Sequence, residues 1–267
     1  MTNPAPLPDR AVIRLTGEDR FSFLQGIITQ DVERLKTAPA IFSALLTPQG
    51  KILFDFFIAS DGDALLIDCF TDAAAALLKR LTLYKLRAKV SLDLAEDLKV
   101  VASAEKIENG FPDPRHTKLG WRAIVSETAE GANREYDRAR IALGVPDFGK
   151  DFSADEVFLL DVNYDLLNGV NYKKGCFVGQ EVTSRMKRKG DVRRRTLIAK
   201  FDGPAAEKGA PVTAGGSTLG ETMSAADGVA LAIIRLDRWE KAKAKGTPIE
   251  CGGKQLLLEI PDYLEQG

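Results

Sequence analysis

Three short apolar runs, IFSALL, KILFDFFIA and ALLIDCF, follow one another between residues 41 and 70, separated by TPQG and SDGD. Turn sequences of the Pro-Gly and Asp-Gly kind join neighbouring strands, so this part of the chain is expected to form an antiparallel meander. Cys69, inside ALLIDCF, reads as core. Asp55 is the exception in the meander, because its neighbours are Phe54, Phe56 and Phe57. A charge in an apolar strand costs free energy unless it is paired, hydrogen-bonded or lines a cavity, which makes Asp55 a candidate site residue. The alternative is that Asp55 alternates to the solvent face of a half-exposed strand.

The rest of the chain reads as mixed α+β. AVIRL is a strand by its alternation, and Thr16 to Asp19 give a helix-start signal with Gly26 as the stop. Thr29 is placed to cap a second short helix over 30–35. Thr71 and Asp72 open a longer helix, DAAAALLKRLTLYKL, favoured by its Ala and Leu content. Strands AKVSLDL, KVVAS and WRAIV follow, enclosing a Pro- and Gly-rich loop that carries His116. A helix over 133–143 is ended by Gly144, Val145 and Pro146. Ser153 and Glu156 have capping-box spacing for a short helix before Asn163, and Asn168-Gly169 reads as a turn. After Arg195 the runs TLIAKF, GAPVTAGGSTLGE, VALAIIRL and KQLLLEI are divided by glycine-rich turns, as in a small β-barrel or sandwich. A boundary near 190–195 divides a body over 1–190 from a barrel over 191–267.

With 267 residues, 45% of them hydrophobic, the chain is long enough for a substantial core. It has no apolar run near the ~20 residues that span a bilayer, so no membrane association is expected. The opening lacks the features of a secretory signal and of an Arg-rich transit peptide. Cys69, Cys176 and Cys251 lie far apart and cannot all pair, which fits a reducing compartment and a cytoplasmic protein. With His116 as the single histidine, no Cys/His metal set is available, and a Ser-His-Asp or Cys-His mechanism would have to run through an exposed loop.

Residues 172–195, YKKGCFVGQEVTSRMKRKGDVRRR, concentrate a thiol, glycines and charge. Lys173 and Lys174 precede Gly175 and Cys176, and cations folded over a thiol favour its thiolate. Gly175 and Gly179 bracket Cys-Phe-Val and let backbone approach a ligand closely. Gln180 and Glu181 add an amide and a carboxylate. Nine basic residues here face two acids in a chain of net charge −1, so the positive charge is localised. It suits an anionic partner: phosphate, a polyglutamate tail or nucleic acid. The plainer readings are a turn around a buried small hydrophobe and a solvated charged face.

At KGCFVGQE the chain resembles the YgfZ family, folate-binding relatives of the glycine-cleavage aminomethyltransferase that are also described as tRNA-modifying or iron–sulfur assembly factors. DRFSFLQGIITQDV, LLTPQGKILFDF, RIALGVP and LGETMSAADGVALAIIRLDR extend the resemblance over nearly the whole chain. It implies an aminomethyltransferase-like, folate-binding α+β body of two subdomains around a channel, followed by a small C-terminal β-barrel. It further implies tetrahydrofolate or a one-carbon derivative as cofactor, Cys176 and Asp55 as catalytic residues, and Lys174, Gly175, Gly179, Gln180, Glu181 and Arg185 as folate-binding residues. RIALG carries Ala142 where the aminomethyltransferases have a pterin-binding glutamate. Three functions stay open on these residues: a folate-binding iron–sulfur assembly or repair factor acting through Cys176 with assembly or client proteins as partners, a folate-dependent one-carbon transferase using Asp55, and an RNA-binding or tRNA-modification factor using the 172–195 patch.

Overall fold

The computed structural model describes residues 4–129, 131–190 and 192–265. Residues 1–3 of the opening segment, and Asp191 in the basic stretch, lie outside the described residues. In chain order the elements begin with β1 (Ala5–Pro6), β2 (Arg10–Thr16), α1 (Arg20–Gln25), β3 (Ala40–Leu46), β4 (Ile52–Asp61), β5 (Ala64–Phe70) and α2 (Thr71–Lys85). There follow β6 (Ser91–Leu94), β7 (Lys99–Ser103), β8 (Phe111–Pro112), β9 (Trp121–Val125), α3 (Arg134–Ala142) and α4 (Gln180–Lys189). The last part holds β10 (Arg194–Phe201), β11 (Pro211–Ala214), β12 (Ser217–Ala226), β13 (Val229–Arg235), α5 (Leu236–Ala244), β14 (Ile249–Cys251), β15 (Lys254–Glu259) and α6 (Asp262–Glu265).

The chain divides into two compact units interleaved in sequence: Met1–Tyr136 with Asn168–Gln180, and Asp137–Leu167 with Glu181–Gly267. The first holds two antiparallel sheets. One has the order β3-β4-β5-β2-β6 and contains the expected meander, with Phe42 opposite Phe57 and Ala44 opposite Asp55. The other has the order β1-β7-β9-β8. Every residue of β3 is buried, so this strand is covered on both faces and reads as a continuous apolar run rather than an alternation. Helix α2 buries Ala74, Leu77 and Leu81, which recur at helical spacing, and packs on β2, β5 and β6.

A charged cluster sits in the middle of this unit. Asp68 of β5 accepts from Arg10 of β2 at 2.6 Å and from Arg122 of β9 at 2.6 Å. Arg122 also donates to the Tyr136 hydroxyl at 2.5 Å, and Arg115 donates to the same hydroxyl. That hydroxyl in turn donates to Asp113 at 2.9 Å. Burial raises the Asp113 pKa, but the guanidiniums of Arg115 and Arg122 prevail and hold it below the usual carboxylate range. The guanidiniums of Arg122, Arg115 and Arg10 stand 4.1, 4.8 and 5.4 Å from the centroid of the Phe57 ring. Desolvated cations gain from such ring contacts, and mutual pairing keeps each buried charge compensated.

In the second unit β10 to β15 close into a barrel of order β10-β13-β12-β11-β14-β15. Its interior is filled by Leu197, Val212, Leu219, Ile234 and Leu258, with Trp239 and Ala242 of α5 packed into the same cluster. Arg140 of α3, 1% exposed, donates to Asp137 at 2.7 Å, to Asp151 at 2.6 Å and to Ser224 of β12 at 2.9 Å. Arg195 grips Asp165 with both terminal nitrogens.

Two local expectations change. Thr29 does not cap a helix: its hydroxyl is buried and donates to the Gly169 carbonyl at 2.6 Å, and Asp31 caps a short 3-10 turn over Val32–Lys36. A long-range hydrogen bond thus outweighs the local cap. Glu156 does accept from the Ser153 amide at 2.7 Å, half of a capping box, yet turns follow rather than a helix. Asn163 there adopts φ of +61°, which stops helical propagation, and its amide donates to the Thr196 carbonyl at 2.8 Å.

Candidate functional site

The segment Asn168–Gln180 returns to the first unit and is tied to residues 29 and 30, between α1 and the 3-10 turn Val32–Lys36. Gln30 donates to the Asn168 carbonyl at 2.6 Å, and the Asn171 amide donates to the Thr29 carbonyl at 3.0 Å. Asn171 then accepts from the Lys173 amide at 2.8 Å, shaping the start of the loop.

Lys174 and Phe177 are the loop's buried anchors, 8% and 6% exposed, and the two residues between them, Gly175 and Cys176, are exposed. The loop therefore presents its thiol outward from a fixed base. The Lys174 ammonium donates to the carbonyls of Ile28 at 2.7 Å and Gln30 at 3.0 Å and lies 5.6 Å from the Phe177 ring. Burial pushes its pKa down to about 8, against the opposing pull of Asp31. Lys174 is thus committed to backbone carbonyls inside the unit, rather than folded over Cys176 as its place in the sequence suggests.

The two glycines differ. Gly179 has φ of +79°, and a Cβ there would lie 2.7 Å from the Thr47 carbonyl oxygen in the turn between β3 and β4. Only glycine allows that approach. Gly175 lies outside the positive-φ region, and a Cβ on it would meet open space. Gln180 closes the loop through its side chain, which reaches the Gly175 carbonyl at 3.5 Å.

Asp55 is 2% exposed, so it does not turn to solvent. By strand alternation it shares a sheet face with Phe57, the ring on which the three guanidiniums stand. Its charge, with those of Arg10 and Asp68, is felt at Cys69. There burial, chiefly, raises the thiol to about 12 and makes it inert.

Asp55, Lys174, Gly175, Cys176, Gly179 and Gln180 all belong to the first unit, whereas Glu181 and Arg185, both exposed on α4, belong to the second. His116 caps a 3-10 turn through Nδ1, which accepts from the Lys118 amide at 3.1 Å.

Sequence reasoning missed Asp68, Arg10, Arg115, Arg122 and Tyr136. The signal was available for Asp68 and Arg122, charged residues inside the apolar runs ALLIDCF and WRAIV, by the argument that singled out Asp55.

Residues 193–266 match the family described as CAF17, C-terminal beta-barrel domain. Along 98% of its length the chain superposes on the glycine cleavage system aminomethyltransferase T of Bartonella henselae, covering 86% of that chain with a TM-score of 0.74 at 17% identity. The class defined is therefore an aminomethyltransferase-like α+β fold that carries a CAF17-type C-terminal barrel. Within it the chain is similar to the IBA57 iron–sulfur cluster assembly factors. It is 30% identical to the mitochondrial IBA57 homolog of Neurospora crassa, over 75% of this chain and 54% of the relative. It is 28% identical to mitochondrial IBA57 of Mus musculus, over 86% and 76% respectively. It thus spans just over half of the first relative and about three quarters of the second.

The expectation of a cytoplasmic protein is overturned, because these relatives, and that of Homo sapiens, are named as mitochondrial. Free cysteines report reducing surroundings, a property that does not separate the cytoplasm from other reducing compartments.

Proposed function

We propose that the chain is an accessory factor for iron–sulfur cluster assembly or repair that acts through Cys176. The observation that carries this reading is the exposure of Cys176 between the buried anchors Lys174 and Phe177. A thiolate is a soft ligand suited to iron–sulfur chemistry, and one held on a fixed loop can be shared with a partner protein. Cys69 and Cys251 are buried, so Cys176 is the thiol the chain offers outward. The names of the IBA57 relatives support the same role. The test is complementation of a strain lacking the protein: Cys176→Ser is expected to leave cluster-dependent enzymes inactive, and full restoration by that variant would remove the thiol from the mechanism.

At the finer level we read the chain as YgfZ-like and able to bind a reduced folate. The donor set fits folate only in part. Asp55 supplies one buried carboxylate, but Ala142 supplies none where the aminomethyltransferases hold the pterin with a glutamate. The missing charged hydrogen bond amounts to ~1.5–3 kcal/mol. Calorimetric titration with tetrahydrofolate decides the matter: saturable micromolar binding supports it, and none up to millimolar removes it.

Asp55 supports a second reading, a one-carbon transferase in which a buried, pre-placed carboxylate polarises the substrate nitrogen. Asp55→Asn keeps the shape and removes the charge. Unchanged turnover with a one-carbon donor would eliminate this reading.

A further inference from the structure

We propose that a basic trough on the C-terminal barrel binds an acidic, extended peptide segment of a partner protein. Two hollows of about 400 and 560 Å³ meet on the barrel surface, both lined by Thr218, Leu219 and Arg238. Arg194 and Arg235 line one end, and Lys241 and Lys245 the other.

Like charges face each other here in two different elements. Arg194 of β10 lies directly opposite Arg235 of β13, and like charges in that position destabilise a sheet. On α5, Arg238 and Lys241 stand three residues apart and Lys245 follows at the helix end, a like-charged row on one face, while Trp239 and Ala242 are buried in the barrel cluster. Asp161 and Asp237 offset part of this charge, Asp237 lying one turn before Lys241, and Arg238 donates to the Thr218 carbonyl at 2.6 Å. An entering anion compensates the positive charge that remains.

The geometry points to carboxylates as that anion. Arg194 already donates to Asp161 at 2.7 Å, and Arg235 holds Asp237 through two bonds of 2.9 Å, so these guanidiniums are set for carboxylate recognition. Among the described residues no aromatic side chain lines either hollow, which leaves nucleic-acid bases without a stacking platform. The row from Arg238 to Lys245 is about 10 Å long at ~1.5 Å per helical residue, the length of about three extended peptide residues. This inference rests on the barrel alone and is independent of Cys176 and of folate.

The test is fluorescence anisotropy of a short fluorescein-labelled Asp/Glu-rich peptide titrated with the full chain. Saturable binding that weakens with salt is expected. Lys241→Glu with Lys245→Glu, both at exposed positions, is expected to weaken it about tenfold, and the pair Lys241→Gln with Lys245→Gln less so. Reversal of the exposed pair Lys79 and Arg80 on α2 to Glu should leave it unchanged. The proposal is overturned by no binding at low salt, by equal weakening from both double reversals, or by an RNA oligonucleotide that displaces the labelled peptide more readily than unlabelled peptide does.

Discussion

Arg122 donates to Asp68 at 2.6 Å with both side chains sealed from solvent, and Arg10 reaches the same carboxylate from another strand at 2.6 Å. One acid of β5 thereby ties together strands of both sheets in the first unit. Asp68→Asn removes the shared charge and leaves two buried guanidiniums to compensate. We predict a loss of ~3–5 kcal/mol in urea unfolding. Arg14→Met, which breaks an exposed pair to Asp97 at 3.3 Å, should cost no more than ~1 kcal/mol. Equal costs for the two variants would contradict this account of the cluster.

The three thiols should react very differently. Cys176 is exposed, Cys69 is buried with its thiol raised to about 12, and burial also raises Cys251. Ellman's reagent at mildly alkaline pH is expected to titrate one thiol per native chain, and all three only after denaturation. In Cys176→Ser the native signal should vanish. Fast labelling of a second thiol would mean that the sheet around Cys69 or the barrel around Cys251 opens readily.

Lys174 makes stability depend on pH in a defined direction. Its folded pKa, about 8, lies below the ordinary value of 10.5, so between these two values the unfolded chain binds more protons than the folded one. Stability from this group therefore rises with pH across that window and is reduced below about 8. A neutral amine still has N–H groups for the carbonyls of Ile28 and Gln30, so the loop survives the proton's loss. Urea midpoints of wild type and Lys174→Met, compared between neutral pH and pH 10, should show a rise in the first that is missing from the second.

Gly179→Ala should destabilise the loop, because φ is +79° and the new Cβ would stand 2.7 Å from the Thr47 carbonyl oxygen. The expected cost is ~1–2 kcal/mol, together with faster hydrogen exchange in the loop. Gly175→Ala should be nearly neutral, since its methyl would project into open space. The reverse order would mean that Gly175 carries the backbone requirement.

The meander, the helix over Thr71–Lys85 and the barrel were legible because short apolar runs between turn residues leave few other arrangements. Asp55 was legible as an embedded acid, although burial on both sides of β4 was needed to choose the core over the solvent face. Helix α5 was missed because it begins at Leu236, where a strand's apolar run ends with no turn residue between. Lys174 shows the deeper limit. Sequence proximity placed its charge beside Cys176, whereas its partners are carbonyls near residue 30, and contacts at that separation follow from packing rather than local pattern.

The barrel's closure has a consequence for biosynthesis. Its first strand, β10, pairs along Ile198 to Phe201 with β15, the barrel's last strand in chain order. While the ribosome still holds residues 254–259, the nascent sheet keeps two open margins, one of them carrying Ile198, Ala199 and Phe201. The barrel is therefore completed only once β15 has emerged. A frameshift before Lys254 would yield a product with a sticky β10 edge, a substrate for chaperones and proteases rather than a shorter working protein.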